Sequence, residues 1–267
     1  MTTLSVKQGF KVGPYRIQMA QNQDDIKKAL KLRFEVFNLE LNEGIPENAS
    51  LGIDIDQFDS HCDHLLVWYN DDVVGTYRLL PGSKKPQQGF YSQTEFNLAK
   101  TFEYYQSNMS EVVELGRGCI SEEHRKQNVL MSLFIGLHCY IEENNFKALF
   151  GCASLPPETS PSASLAAFKY LQNNNFFNSS PKAHPLEKNQ NLDLESKTEI
   201  NDDIIKSTIP ALLDIYLKIG AKIISSPAYD PTFKCYDLLV FFQLSDLSDW
   251  GQVLVDKYKK RILKQQT

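Results

Sequence analysis

The sequence lacks the features that would place this protein in a membrane, on nucleic acid or outside the cell. No stretch reaches the roughly 18 uncharged apolar residues of a membrane-spanning helix, and the N-terminal residues MTTLSVKQGFKVGPYRI contain no sustained apolar run of a signal peptide. Acidic residues outnumber basic ones by 33 to 28, so the chain has no general attraction for nucleic acid. We therefore expect a cytoplasmic protein without a nucleic-acid partner.

Cysteine pairs with metal or redox spacing are also missing. The five cysteines are scattered, mostly within apolar runs, and no two have the Cys-x-x-Cys spacing, so reduced, buried thiols are expected. Residues 61–64 (HCDH) offer four adjacent candidate metal ligands, but consecutive residues lie too close together to form a tetrahedral set alone. We predict hydrogen bonding there, and no metal or bound cofactor.

Hydropathy patterns predict an α/β (α+β) protein. The first elements are a strand at YRIQMA, a helix at DDIKKALKLRFEVFNLEL, and a hairpin formed by HLLVWYN and VVGTYRLLP. Further along, VVELGRGCI, NVLMSLFIGLHCYIEENN and ALFGCASL alternate as strand, helix and strand, which is the pattern of a crossover unit with parallel strands. The C-terminal part adds a helix closed by Gly220, a buried strand at CYDLLVFFQL and a terminal helix.

The chain is long enough for one large core, since it has 267 residues of which 42% are hydrophobic. We predict a single domain over residues 1–267, with a polar loop or insertion at about 173–205 and a basic amphipathic helix at about 247–264. Either that helix packs on the core with a solvated lysine edge, or its cations contact an anionic membrane surface or an acidic protein. Its apolar residues beside the lysines are Trp250, Val253, Leu254 and Tyr258.

The segment ELGRGCI places a carboxylate and a guanidinium inside a predicted buried strand. Side chains alternate along a strand, so Glu114 and Arg117 should point to opposite faces. A bulge near Gly116 would shift the register and bring both into one cleft, and Gly116 and Gly118 reduce the steric cost of such a kink. We therefore predict a bent strand that splays from ALFGCASL and leaves backbone groups free to pair with an extended ligand.

Seven segments together resemble one known family, the acyl-carrier-protein-dependent amino-acid N-acyltransferases of the GNAT superfamily. The similarity is to the ornithine-lipid and glycine-lipid type of bacterial enzyme, some of which carry a hemolysin label. It implies a GNAT-like mixed central sheet with a splayed central strand pair, flanked by helices. The segments lie within residues 31–242 and read LRFEVF, DIDQFDSHCDHLLV, VVGTYRLLP, GFYSQTEFNL, ELGRGCI, LFGCASLP and IPALLDIYLKIGAKIISSPAYDPTFKCYDLLV.

A second family on the same fold, the acyl-homoserine-lactone autoinducer synthases, shares part of this pattern. The Arg-x-x-x-Phe, Asp-x-x-Asp and Glu-x-x-Arg spacings of those synthases all hold here. The tryptophan that the synthases carry shortly after the phenylalanine is absent, and Glu43 lies near that point. The lipid-forming branch therefore ranks first. The residues that match the synthases' charged set are Arg33, Phe37, Asp56, Asp59, Arg78, Glu114 and Arg117.

The acyl donor is predicted from a missing glycine loop. Acetyl-CoA enzymes of this superfamily usually carry Arg/Gln-x-x-Gly-x-Gly/Ala between the central strand and its helix, where backbone amides cradle a pyrophosphate. The corresponding stretch here, SEEHRKQNVL, has no glycine. The resemblance therefore implies acyl carrier protein as partner and its acyl-phosphopantetheine as donor substrate. The residues predicted to bind this arm are Gly116, Gly118, Cys119 and Ile120.

The resemblance also implies roles for the charged residues. Attack of an amine on a thioester needs a base, for which Glu114 is the candidate with Arg117 beside it. Arg33, Asp56, Asp59 and Arg78 would either bind the charged amino acid or hold the first helix and its following loop over the site. Cys119 is not expected to act as a nucleophile, because no histidine has an evident pairing position. Candidate walls of an acyl slot are Phe37, Met131, Phe134 and Leu155.

Three functions follow from these residues. The first is transfer of a long-chain acyl group, with or without a 3-hydroxyl, from acyl carrier protein to an amino acid such as ornithine or glycine, in lipid biosynthesis. The second is autoinducer synthesis, which would need S-adenosylmethionine as acceptor. The third is a non-catalytic acyl-binding or membrane-associated protein, in which Glu114 and Arg117 form a structural ion pair.

Overall fold

The computed structural model describes residues 4–105, 108–125, 128–155, 161–178, 183–190, 192–196, 205 and 209–266. Within these residues the strands are β1 (Phe10–Val12), β2 (Tyr15–Met19), β3 (Asp63–Tyr69), β4 (Asp72–Pro81), β5 (Phe96–Asn97), β6 (Val112–Ile120), β7 (Ala148–Leu155), β8 (His184–Pro185), β9 (Lys222–Ile223), β10 (Ala228–Asp230) and β11 (Cys235–Gln243). The α-helices are α1 (Gln23–Phe34), α2 (Ala99–Tyr105), α3 (Val129–Asn144), α4 (Pro161–Asn173), α5 (Ala211–Ile219) and α6 (Asp249–Gln266).

One sheet organises these elements, with strands in the order β1-β2-β3-β4-β6-β7-β11-β10 and β9 paired to β11. All pairs are antiparallel except β6 with β7. Helix α3 contacts β2, β3 and β4 on one face, while α1 contacts β3, β4 and β6 on the other. This mixed sheet flanked by helices confirms the predicted fold class.

Strands β6 and β7 pair over only three residues, Val112↔Ala148, Val113↔Leu149 and Glu114↔Phe150. A Cβ atom on the next residue of β7, Gly151, would lie 2.2 Å from the backbone oxygen of Leu115. Glycine is therefore required where the two strands part. Beyond it the strands diverge without pairing, which confirms the predicted splayed strand pair.

The kink in β6 lies at Arg117, next to the predicted position. Its φ of +52° is in the left-handed region, which non-glycine residues rarely adopt. Thr76 of β4 pairs with Cys119 and Arg78 pairs with Gly116, so two residues of β6, Arg117 and Gly118, lie opposite the single residue Tyr77. An extra residue in one strand changes which face the following side chains point to. Glu114 and Arg117 consequently open onto the same cavity.

Helix α1 has a capped N-terminus and continues at its C-terminus as a π-helix. Asn22 caps its N-terminus by accepting a hydrogen bond from the backbone N–H of Asp25. The helix then continues as a π-helix over Glu35–Glu40, a local widening that is frequent at functional sites. This turn carries Phe37 to the edge of the cavity.

The predicted polar insertion at about 173–205 contains residues attached to the sheet. Within its described residues, Phe177 bridges to Ile223 of β9 and Ala183 bridges to Ser225, while β8 pairs with β5 in a separate two-stranded sheet. The buried side chain of Asn189 donates a hydrogen bond to the backbone oxygen of Tyr229. Ala183 and Ile205 are buried in the hydrophobic core, and Phe176, Phe177, Leu192 and Leu194 pack against it, so the polar composition hides apolar contacts.

The terminal helix α6 packs on the core through one side. Val255 and Ile262 are fully buried, whereas Trp250 and Val253 remain 47% and 65% exposed. None of the described helices combines the length and the apolar character needed to cross a bilayer.

Candidate active site

A cavity of about 350 Å³ opens between the splayed strands. The cavity is lined by β4, β6 and β7, by the π-helix and α5, and by the segment between β10 and β11. Both charged and apolar side chains line it. Among its lining residues are Phe37, Glu43, Tyr77, Arg78, Tyr91, Glu114, Leu115, Gly116, Arg117, Gly118, Cys152, Ala153, Ser154, Tyr216, Phe233 and Asp237.

Glu114 lines this cavity and is held by three hydrogen bonds. Its Oε1 accepts from the backbone N–H and the hydroxyl of Ser92, both at 2.6 Å. Its Oε2 accepts from the backbone N–H of Tyr91 at 2.8 Å. The side chain of Glu114 therefore has one fixed position, and it also anchors the turn that begins at Tyr91.

The protonation of Glu114 reflects two opposing effects. Burial raises the pKa of this carboxyl above its usual range, and the hydrogen bonds from Ser92 and Tyr91, together with the charge of Arg78, reduce the rise. The outcome is a net upward shift. A carboxylate with a raised pKa is a stronger proton acceptor than a solvated one.

Arg33 is the centre of a buried ion network and has no exposed surface. Its Nε donates to Asp54 at 2.7 Å, and its Nη1 and Nη2 donate to the two oxygens of Asp59 at 2.6 and 3.2 Å. Burial alone would raise the pKa of Asp59, but Arg33 and Arg78 outweigh it and hold that pKa below its usual range. These contacts tie α1 to the loop before β3.

The network continues to the cavity through Arg78. Its Nη1 donates to Asp56 at 2.6 Å. Arg117 comes last, with Nη2 3.6 Å from Asp56 and 3.8 Å from Asp54, distances that allow attraction but no hydrogen bond. Three arginines thus face three aspartates, and the charges within the network balance.

Arg117 is the member of the network with unused donors. Its side chain is 8% exposed, and no described residue accepts a hydrogen bond from its Nε or Nη2. The guanidinium lies 4.2 Å from the ring centre of Phe233, with Phe37 and Tyr91 at 5.7 and 6.0 Å. Aromatic rings hold the cation in place while leaving its N–H groups available to an anionic ligand.

The predicted arm-binding residues divide into two pairs. Gly116 and Gly118 line the cavity, whereas Cys119 and Ile120 pair with Thr76 and Gly75 of β4 and are not among its lining residues. Burial raises the pKa of the Cys119 thiol to about 12, so this cysteine is held as an unreactive thiol.

The predicted acyl-slot residues also separate. Phe134 lines a second, apolar cavity beneath the splayed strands, and Phe37 lines the charged cavity. Leu155 is fully buried and Met131 half-buried, and neither belongs to the described lining of these two cavities.

The two cavities share the side chains of Tyr77 and Tyr216, whose hydroxyl groups are hydrogen-bonded to each other. Leu115, Cys152 and Ala153 also line both. On the far side the apolar cavity is formed by α3, α5, β7 and β11. The charged region therefore adjoins an apolar region at the gap between β6 and β7, with these shared side chains as the wall between them.

The four residues of the HCDH segment do not converge on one point. The Cys62 thiol donates to the backbone oxygen of Phe58 at 3.1 Å, and Asp63 accepts from Lys84 and Tyr140. Burial lowers the pKa of His64 to about 4, which keeps its imidazole neutral at pH 7. Among the described residues these four form no metal-binding group.

His64 should make the protein sensitive to acid. With a pKa of about 4 in the folded state and 6.5 in the unfolded state, the unfolded chain binds more protons between these values, so the free energy of unfolding falls as pH decreases. Relative to His64→Gln, the wild type should lose about 3 kcal/mol between pH 7 and pH 4.

Urea denaturation of both proteins across this pH range measures the difference. His184→Gln is the control, since it removes an exposed imidazole. A difference that stays constant with pH for His64→Gln would contradict the prediction.

Several site residues were not predicted from the sequence. Asp54, Tyr91 and Ser92 hold the predicted charges, and Glu95 and Asp237 form a separate acidic group. Asp237 did carry a signal, because it is an isolated acid at an inward position of the apolar run CYDLLVFF. The turn residues Tyr91 and Ser92 carried none, since their role comes from backbone N–H groups.

Comparisons with known proteins agree with this geometry. A family model described as an acetyltransferase (GNAT) domain matches residues 32–134. The L-ornithine N(alpha)-acyltransferase of Agrobacterium fabrum (strain C58) is 30% identical over 248 residues, covering 89% of this chain and 84% of that protein. The enzyme of the same description from Brucella abortus (strain 2308) is 28% identical over 253 residues, covering 89% and 87%.

Solved structures with the same fold include an N-acyl amino acid synthase from uncultured soil microbes. Its TM-score is 0.55 at 9% identity, over 90% of this chain and 98% of that one. A CoA-dependent acyl-homoserine lactone synthase gives a TM-score of 0.52 at 12% identity, over 94% and 89%. At these identities the similarity extends to the fold alone.

With its splayed strands and the bulge at Arg117, the chain has a GNAT-like fold, and its relatives make it an acyltransferase. The chain belongs to the family of L-ornithine N(alpha)-acyltransferases. This confirms the resemblance found in the sequence.

Proposed function

We propose that this enzyme transfers a long-chain acyl group, with or without a 3-hydroxyl, from the phosphopantetheine thioester of acyl carrier protein to the α-amine of an amino acid, with ornithine the first candidate. One observation carries the proposal. The cavity with an arginine that has free donors adjoins an apolar cavity at the gap between β6 and β7, and five side chains line both. An acyl thioester and a charged acceptor can meet there.

The junction between β6 and α3 supports a donor without a pyrophosphate. Glu122 and Glu123 are exposed there, and their charges oppose a pyrophosphate. Arg125 is engaged with the carboxylate of Glu40 and the backbone oxygen of Ile120. A pantetheine arm would instead extend along the unpaired edge of β6 at Gly116 and Gly118, where backbone groups substitute for a neighbouring strand.

The acceptor's carboxylate is assigned to Arg117. Its free Nε and Nη2 match the two oxygens of a carboxylate, and the surrounding network is already neutral, so an added anion is not repelled by an excess of aspartate. Arg78 and Asp56 position Arg117. Arg33 and Asp59 lie further inside and hold α1 over the site.

The chemistry proceeds by direct attack. Glu114 takes a proton from the α-ammonium, directly or through a water molecule, and the free amine attacks the thioester carbon. A C–N bond forms and the oxyanion accepts hydrogen bonds from backbone N–H groups at the bulge. The intermediate then collapses, the C–S bond breaks, and the attacking nitrogen loses its second proton, which the departing pantetheine sulfur takes up as it becomes the thiol; the proton on Glu114 is released to solvent. The products are an N-acyl amino acid and the free carrier thiol.

The relatives favour ornithine as acceptor, since the curated proteins from Agrobacterium and Brucella carry L-ornithine in their names. The similarity to the autoinducer synthase extends only to the fold, so it gives little support for autoinducer synthesis by this chain. Lipid biosynthesis, in which such a product is an intermediate, is the context that follows.

Incubation of the purified enzyme with long-chain acyl carrier protein and single amino acids tests the proposal. The expected result is an N-acyl amino acid detected by mass spectrometry, formed with ornithine and compared with glycine. Acyl-CoA and S-adenosylmethionine are the alternative donor and acceptor. Turnover only with S-adenosylmethionine would show an autoinducer synthase, and acyl binding without turnover under any pairing would show a non-catalytic protein.

We also propose that residues 1–267 form one domain, because α6 at one end of the chain contacts β1 near the other. The exposed side of α6, with Trp250, Lys257 and Lys260, is a docking surface either for the acidic carrier protein or for an anionic membrane surface at the inner face. A cytoplasmic location fits both.

A further inference from the structure

A second group of ionisable side chains lies near Tyr91 and reaches the cavity through Asp237. Glu95, Asp230 and Asp237 are each 3 to 4% exposed, and in the described parts of the chain no lysine, arginine or histidine pairs with any of them. Buried carboxylates without cations are costly, because burial penalises the charged form. Such a group needs a proton or a cation.

Asp230 is already satisfied within the protein. Its Oδ1 accepts from the backbone N–H groups of Thr232 and Phe233 at 2.6 and 3.2 Å, and its Oδ2 accepts from the Tyr91 hydroxyl at 3.0 Å. It has the contacts of a structural carboxylate that shapes the loop between β10 and β11.

Glu95 and Asp237 are different, because they are hydrogen-bonded to each other. Burial raises the pKa of both carboxyl groups, and the negative charge of Asp237 raises that of Glu95 further, well above its usual range. No described residue donates to Oε1 of Glu95. Asp237 lines the cavity, where it also accepts from Ser154. A carboxylate in this buried pair has no cation to neutralise it among the described residues.

The cavity therefore has opposite charges on two of its walls. Arg117, 92% buried and with Nε and Nη2 unpartnered, opens onto the same space as Asp237. Tyr91 lies between the two groups, with its ring 6.0 Å from the Arg117 guanidinium and its hydroxyl on Asp230. A ligand that satisfies both walls has a carboxylate at one end and a cation at the other.

We infer that the Glu95–Asp237 pair binds the side-chain ammonium of a diamino acid, so that the enzyme selects a dibasic acceptor over a neutral one. This inference rests on the proposed function. An ammonium supplies donors to both carboxyl groups and neutralises the buried charge. Held between them it stays protonated and cannot attack, so the acyl group goes to the α-amine beside Glu114.

A metal ion is the competing occupant, since ligand atoms of Glu95, Cys152 and Asp237 lie within 4.8 Å of one another. The Cys152 thiol donates to the Ser92 hydroxyl at 3.4 Å and to Oε2 of Glu95 at 3.8 Å, so it already has hydrogen-bond partners within the protein. The metal content of the purified protein separates the two occupants.

The test compares ornithine with norvaline, which has the same carbon chain without the terminal amine. With saturating acyl carrier protein, the wild type should show kcat/KM at least about 100-fold higher for ornithine, because norvaline leaves the buried charge unpaired. Asp237→Asn should lower kcat/KM for ornithine by about 100-fold, mainly through KM, and change that for norvaline less than about 3-fold. Asp214→Asn, on the exposed surface of α5, is the matched control.

Each outcome has one meaning. Equal use of ornithine and norvaline by the wild type overturns the inference and leaves the proposed function intact, whereas no acylation of any amino acid overturns both. If Asp237→Asn does not fold, Glu95→Gln and the wild-type ratio decide. Stoichiometric metal in the purified wild type that is absent from Asp237→Asn would assign the pair to a metal and overturn the inference.

Discussion

Replacement of Glu114 by glutamine is expected to lower kcat by between about 100-fold and 10⁴-fold, the range for loss of a general base. The reason is that Glu114 is the carboxylate fixed at the cavity wall beside the bulge, with its pKa raised by burial. The acid limb of the rate–pH profile reports protonation of this group, and it should disappear in the variant. Steady-state kinetics over a pH range measure both effects.

Glutamine also disturbs a contact. Its amide nitrogen cannot accept a hydrogen bond, so the contact with either Ser92 or Tyr91 is lost. A second variant, Ser92→Ala, separates the two roles. It removes a hydroxyl that lowers the pKa of Glu114, so the acid limb should move to higher pH while activity persists. An unmoved limb in Ser92→Ala, together with more than a tenth of wild-type kcat in Glu114→Gln, would make Glu114 a structural anchor and not the base.

Arg33→Met is expected to cause the largest loss of stability, about 3 to 5 kcal/mol, as is typical when one member of a buried ion pair is removed. The substitution leaves Asp54 and Asp59 buried without their main cation. Both aspartates would have to take up protons or admit water. Urea denaturation followed by circular dichroism measures the change in the free energy of unfolding.

The control is Lys84→Met, which breaks an ion pair with Asp63 whose lysine is 51% exposed. Surface pairs contribute only up to about 1 kcal/mol, so this variant should remain close to the wild type. Adding Asp59→Asn to Arg33→Met should recover part of the loss, because one unpaired charge is removed. A loss below about 1 kcal/mol for Arg33→Met would show that the network does not hold α1 in place.

The ion network and the acidic pair differ in a way that bears on function. In the network, three arginines and three aspartates balance, and Nε and Nη2 of Arg117 have no acceptor among the described residues. The acidic pair has no cation among the described residues, and Oε1 of Glu95 has no donor there. Unsatisfied polar groups are costly in a folded core, and both lie at the same cavity. That coincidence is the reason for assigning the two of them to one acceptor.

Sequence patterns alone determined the order of the elements and the kink in the central strand. The alternation of apolar residues set the strands β3, β4, β6 and β11, and the glycines around Arg117 predicted a bulge. These features depend on neighbours a few residues apart along the chain. Local periodicity encodes them directly, so they are readable without a structure.

Only the tertiary structure decided which groups meet. Arg33 binds Asp54 in addition to the predicted Asp59. Glu114 accepts a hydrogen bond from the backbone N–H of Ser92, 22 residues away. Glu95 is hydrogen-bonded to Asp237 of β11. The identity of such partners depends on strand order and register, which bring distant residues together. A charged residue within an apolar run predicts that the folded chain supplies a partner for it. The packing of the strands decides which residue that partner is.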